Sequence, residues 1–380
     1  MSRDPVVDGL RAYAMGGVVL GHWLVTGLVL APDGSLSQAS PLSAMPALAP
    51  ATWLFQTLGL FFFTAGYASA RSMAAHPGGA RGWLARRIGR LALPAVALLG
   101  TGAAVLLIAT VLGTPDATLT VALTLAATPL WFLLPLAALV ALTAPLTAAV
   151  RRWGPLWCAA PEVVVVGAGD LAARLLPAAD GLLPVSVLAA WAVPYLLGLA
   201  HADGRLAGRR PAVALVAIGV AGLATLVGVG YPVSAVGVPG AGVSNLNPPS
   251  LLAVALAVTQ VGVGLLVGPA LTRLLRRPLP GRVVGAVNRN AVRVYLWHQP
   301  VLVGVTALAA RAGGALPGLH TTPDGLPWLA ARLCWLPVLA VVLALLLRPR
   351  RVADRPAVGP AERLGQPVGR VPSGDHPGVR

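Results

Sequence analysis

Four stretches of this chain, Leu10–Leu30, Leu91–Leu112, Ala212–Gly230 and Leu251–Ala270, run on with almost no charge. At about twenty residues each, they match a bilayer core roughly 30 Å thick. Six further apolar stretches follow the same rhythm. The ten expected spans are Leu10–Leu30, Ala51–Ala70, Leu91–Leu112, Thr120–Val150, Leu156–Leu176, Leu182–Ala200, Ala212–Gly230, Leu251–Leu271, Ala291–Ala310 and Leu326–Leu347. Thr120–Val150 is longer than one crossing needs, and Glu162 and Asp170 interrupt the fifth span. With 57% hydrophobic and 11% charged residues, the composition excludes an ordinary soluble domain. The fold class predicted is all-α, a polytopic membrane helix bundle of about ten transmembrane helices.

The formal charge of +16 would suggest a nucleic-acid partner in a soluble protein. Its distribution argues against one. The basic residues are all Arg, clustered between spans: Arg71, Arg81, Arg86, Arg87 and Arg90; Arg151 and Arg152; Arg205, Arg209 and Arg210; Arg273, Arg276, Arg277 and Arg282; then the tail. Clusters after every second span follow the positive-inside rule, so the Arg-rich side is read as cytoplasmic, with both termini there. Arg174, Arg311 and Arg332 are expected on or near the other side. The first run exceeds a signal-peptide core in length and is read as a retained helix. Residues 1–347 form the expected membrane domain. The Pro-, Gly- and Arg-rich tail, 348–380, is expected to be disordered.

Cys158 and Cys334 are isolated, so neither a disulfide framework nor a metal site is expected. Two loops on the other side, Ala31–Pro50 and Tyr231–Ser250, carry turn residues and no apolar period. Loops of that length in a compact bundle are either a functional rim or disordered.

Ionisable residues inside spans are costly and mark candidate sites. Arg11 and His22 are eleven apart, almost three turns at about 3.6 residues per turn, so they share one helix face. Arg11 is expected near a surface and His22 near mid-membrane, with Asp8 beside Arg11 on the same face. A neutral imidazole there could take a proton from a hydroxyl that attacks a thioester; a histidine bonded between helices would satisfy the same position. Arg87 and Arg90, with Arg86 beside them, are placed at the start of the third helix. A helix N-terminus and guanidinium groups together suit phosphates, though membrane anchoring alone also explains Arg there. His298 lies in an apolar helix near Pro300, where a structural bond and a catalytic role are both open. Tyr295 and Trp297 beside it could form an interface belt. For Asp170 and Arg174, four apart, a local ion pair is the simplest reading.

Taken in order, five segments resemble the acyltransferase-3 family of integral-membrane O-acyltransferases. They are DGLRAYAMGGVVLGH (Asp8–His22), LFFFTAGYASA, ARRIGRLALP with Arg87 and Arg90, PLWFLLPLAALVALTAP (Pro129–Pro145) and VYLWHQPV. The resemblance covers nearly the whole chain to about Arg348, and is nearest to a bacterial subset with a YPxSxVGVPG…SNxxPP loop. Ala65 and Asn290 depart from the family pattern, where Ser or Gly and Ser respectively are usual. What the resemblance implies is a transferase of the bacterial plasma membrane. Cytoplasmic acyl-CoA would be its donor co-substrate, with Arg86, Arg87 and Arg90 near the phosphates and no permanently bound cofactor. His22 would be the base, Arg11 and Asp8 would fix local electrostatics, and His298 would support. The acceptor would be a hydroxyl of a glycan, lipid-linked sugar or secondary metabolite. A proton-coupled transporter or exporter of such a molecule is the competing class; it should show inverted repeats or paired broken helices, and none is evident.

Overall fold

The computed structural model describes residues 4–175 and 183–348. The tail expected to be disordered lies outside the described residues. Among those described, the chain is a helical bundle with one two-stranded hairpin. It begins with α1 (Pro5–Val25), whose start is set by Asp4: the carboxylate accepts from Val6 N at 2.9 Å and Pro5 occupies the first turn. The helix stops at Val25, five residues before the apolar run ends. The remainder folds back as antiparallel β1 (Gly27–Leu30) and β2 (Leu36–Ala39). His22 therefore sits in the last turn of α1 rather than midway along a longer helix.

Short helices α2 (Pro41–Ala44) and α3 (Thr52–Phe55) flank a 3-10 turn at Pro46–Ala51 and lead into α4 (Leu58–Ala74). Next comes α5 (Gly79–Val111), which starts twelve residues before the apolar run does. The long fourth stretch is three helices: α6 (Asp116–Trp131), α7 (Leu133–Ala141) and α8 (Thr143–Trp153), broken at Phe132 and Leu142. Gly154, at φ +84°, turns the chain into α9 (Pro155–Leu175), which runs unbroken through Glu162 and Asp170. Then follow α10 (Leu183–Ala202), α11 (Arg209–Gly228), α12 (Leu251–Leu275), the surface helix α13 (Pro278–Arg289), α14 (Ala291–Arg311) and α15 (Leu326–Leu346).

Eight helical segments among the described residues are long and apolar enough to cross a membrane. Helices α1 and α14 are each 21 residues long but carry Asp8, Arg11 and His22, and Arg293 and His298, and are not among those eight. On α5, Leu93, Val96, Leu99, Val105, Leu107 and Ile108 are exposed, an apolar face of the kind a helix turns to lipid. At the centre, α4 and α10 touch backbone to backbone. A Cβ on Gly66 would meet the Tyr195 carbonyl, and one on Gly198 the Phe63 carbonyl. Small residues at such contacts are what permits close helix approach without a hydrophobic drive. Phe61, Phe62, Phe63, Phe132, Trp191 and Tyr195 fill the core that this contact organises. Tyr295 belongs to the same core and forms no interfacial belt.

The two long loops are ordered against each other. Trp53 Nε1 donates to Val233 O, Ala235 N to Thr52 Oγ1, and Ser43 Oγ to Pro239 O. Inside Tyr231–Ser250, buried Asn245 donates to the carbonyls of Pro232 and Ser234 and accepts from Ser250 Oγ. Asp170 makes no ion pair with Arg174. Its carboxylate accepts from Tyr231 OH at 2.8 Å and from Leu251 N at 2.9 Å, capping α12, while the Arg174 guanidinium lies 4.3 Å over the Tyr231 ring. Burial and the hydrogen bond to Asp170 push the Tyr231 phenol up to about 12, so it stays a donor at ordinary pH.

Candidate active site

Arg11 lines a cavity of about 510 Å³ at the end of the bundle that carries most of the Arg clusters. Arg87, Arg90, Arg289 and Arg293 share the lining with Asn288 and Asn290, and no Asp or Glu joins them. Five guanidinium groups without a carboxylate in the wall make a site for a multiply charged anion. The Nε of Arg87 is buried without a partner. These groups act without a helix terminus: α5 begins at Gly79, so Arg87 lies more than two turns inside it, beyond the reach of the N-terminal dipole. Asn288 Nδ2 donates to Asp8 O at 2.8 Å and ties α13 to the first turns of α1; Asp8 itself does not line the cavity. Nor does Arg86, whose guanidinium donates to His76 Nε2 at 3.1 Å.

His22 lines a different cavity, about 500 Å³, roofed by the two long loops through Gln38, Ser40, Leu48, Val236, Pro239 and Leu246. Its Nδ1 stands 2.8 Å from Val18 O. A carbonyl can only accept, so Nδ1 carries the hydrogen and Nε2 is left as the basic nitrogen. His298 repeats the arrangement with Nδ1 2.6 Å from Tyr295 O, and its buried Nε2 has no partner. The two rings meet edge to face.

The turn that holds His22 is fastened from outside. Trp23 Nε1 donates to His298 O at 2.9 Å, linking α1 to α14. Arg332, fully buried, donates to the carbonyls of Trp23 (2.7 Å), Gly318 (3.0 Å) and Thr26. It thus satisfies the carbonyls that the end of α1 leaves open. Sequence reasoning put Arg332 on or near the other side and gave it no role. An Arg in an apolar span with no acid in range was the available hint, since such a group needs carbonyls instead.

Between the cavities stand three rings. Phe132 lies 4.8 Å from Phe61 and 4.9 Å from Tyr295, centroid to centroid, and Phe61 and Tyr295 are 6.4 Å apart. Along every helix that reaches both cavities the lining changes over at this level. On α1 it passes from Arg11 to Val18, on α4 from Phe61 to Leu58, and on α14 from Arg293 to Tyr295. Between α7 and α6 it passes from Leu136 to Trp131 across Phe132. Arg11 and His22 thus belong to one helix but to opposite sides of an aromatic partition. The site combines a polycationic cavity, a base in a second cavity, and an aromatic constriction between them.

No curated protein and no solved structure matches the chain. The family described as an acyltransferase domain, Acyl_transf_3, matches residues 4–347. The match takes in both cavities, His22 and His298, and all eight candidate spans, and the chain belongs to the acyltransferase-3 family as a multi-pass membrane acyltransferase.

Proposed function

We propose that the protein moves a short acyl group, such as acetyl, from acyl-CoA to a hydroxyl of a glycan, lipid-linked sugar or secondary metabolite. The polycationic cavity takes the phosphates of the donor from the cytoplasmic side of a bacterial plasma membrane. The acceptor enters the cavity under the long loops. His22 Nε2 removes the hydroxyl proton as the oxygen attacks the thioester carbon. The carbon–sulfur bond breaks, and the departing thiolate takes the proton back from the imidazolium, giving ester and CoA thiol. Arg11 with Asp8 sets the field on the donor side, and His298 supports His22.

The observation that carries this reading is the pairing of a five-Arg cavity with a separate, histidine-bearing one in a chain of an acyltransferase family. Purified protein with labelled acetyl-CoA and a pool of glycans and small metabolites tests it, with acetylated products read by mass spectrometry. His22→Ala should cut transfer by about 10²–10⁴-fold with an unchanged melting temperature. Transfer at the wild-type rate by that variant would refute His22 as the base.

A further inference from the structure

The cavity that holds His22 is as neutral as its counterpart is charged. Its lining includes no Asp, Glu or Arg, and its only ionisable side chains are His22 and Tyr295. Leu42, Leu48, Phe55, Leu125, Trp131 and Leu246 make much of the wall. Bringing a phosphate or carboxylate into such a wall strips its hydration and offers no cation in return.

Two amide side chains in this lining are incompletely bonded. Gln56 is 7% exposed; its Oε1 accepts from Leu58 N at 3.3 Å, which assigns the other end as the amide nitrogen, and that Nε2 has no partner. Gln299 is 1% exposed and its Oε1 has no partner. Buried polar atoms without partners are uncommon and costly, and a ligand is one of the things that completes them. Gln56 offers a donor and Gln299, whose amide no bond orients, a donor or an acceptor; a hydroxyl group can meet either.

We propose that this cavity binds an uncharged molecule with an apolar body and at least one hydroxyl, and that Gln56 and Gln299 hold its hydroxyl-bearing end beside His22. That this molecule is the acyl acceptor rests on the function proposed above; its neutrality and apolar body rest on the wall alone. Charged sugars and lipid diphosphates are excluded from this cavity by the same argument.

The test uses full-length protein in nanodiscs and equilibrium binding without acetyl-CoA. The probes are hexyl β-glucoside (neutral, with an apolar body), glucose (neutral, without one) and hexyl phosphate (apolar body, charged). Hexyl glucoside should bind at least about tenfold more tightly than either of the others. Gln56→Leu and Gln299→Leu should each weaken it by about tenfold, the order of one hydrogen bond. Hexyl phosphate binding as tightly as hexyl glucoside, or no binding of hexyl glucoside, would overturn the proposal. So would unchanged affinity in both variants, which would mean that water completes the two amides. The comparison of probes on the wild-type protein stands even where a variant fails to fold. Because no donor is present, loss of binding here and loss of acyl transfer in the earlier test are separate results.

Discussion

The rings of His22 and His298 stand edge to face with centroids 4.9 Å apart, and each uses Nδ1 to bond a carbonyl of its own helix. On both rings the Nε2 nitrogen is therefore left as the one able to take a proton, and the two imidazoles stand in contact. His298→Ala should lower kcat by about 10-fold to 100-fold, less than His22→Ala, while KM for acetyl-CoA stays put. The double variant should be no worse than His22→Ala within a few-fold, because the two rings act as one unit. Steady-state kinetics on the three variants measures this.

Arg87 and Arg90 face the same cavity, but Arg87 is the more enclosed and holds an unpartnered Nε. Arg87→Ala is expected to weaken CoA binding about tenfold or more, since a charge-assisted hydrogen bond is worth about 1.5–3 kcal/mol. Arg90→Ala should cost less. Calorimetry at two ionic strengths checks the cause: the gap between wild type and the double variant should narrow as salt rises. Arg86→Ala, whose partner is His76, should leave affinity unchanged.

Phe132 is the ring that both other members of the partition touch. Phe132→Ala should cost about 3–5 kcal/mol of stability and join the cavities. A cysteine placed at Thr128, in the His22 cavity, reports the joining when Cys158 and Cys334 are replaced by Ser. In inside-out vesicles a membrane-impermeant thiol reagent should reach Thr128→Cys only when Phe132→Ala is also present.

Arg332 bonds three carbonyls, two at the end of α1 (Trp23 and Thr26) and one at Gly318. Arg332→Leu leaves those carbonyls buried and unpaired, at about 1–3 kcal/mol each. Arg332→Lys should recover only part, because an ammonium lacks the planar fork that reaches three acceptors at fixed angles. Melting temperature in detergent should rank wild type above Lys above Leu. Transfer should fall in the same order, since the turn being held is the one that carries His22.

Length and charge made the polytopic helical bundle legible, because hydrocarbon thickness leaves few other solutions for apolar runs of that size. The helix ends were not, for identifiable reasons. The apolar run begins at Leu91, yet the helix starts at Gly79, because Arg continues a helix about as well as Leu does while raising its polarity. The breaks at Phe132 and Leu142 have a local cause that hydropathy alone passes over: Pro135 and Pro145 each stand in the first turn of the helix that follows, and neither has the N–H that would continue the helix before it. Arg11, Arg87, His22 and His298 could each be flagged as costly inside a span. Their division between two cavities depends on how Phe61, Phe132 and Tyr295, distant in the chain, come together, and no local pattern encodes that. Gln56 and Gln299 carried no signal, since a neutral amide becomes informative only when the structure shows which of its bonds are missing.

The three-ring partition also decides where voltage acts. A potential across a bilayer falls over the part that excludes water, at about 2.3 kcal/mol per unit charge for each 100 mV. Where water fills the cavities on both sides, that fall is concentrated in the thickness of Phe61, Phe132 and Tyr295. The proton that His22 takes from the acceptor leaves on the sulfur of the CoA thiol, so it passes the rings as part of an uncharged group and the transfer moves no net charge through that field.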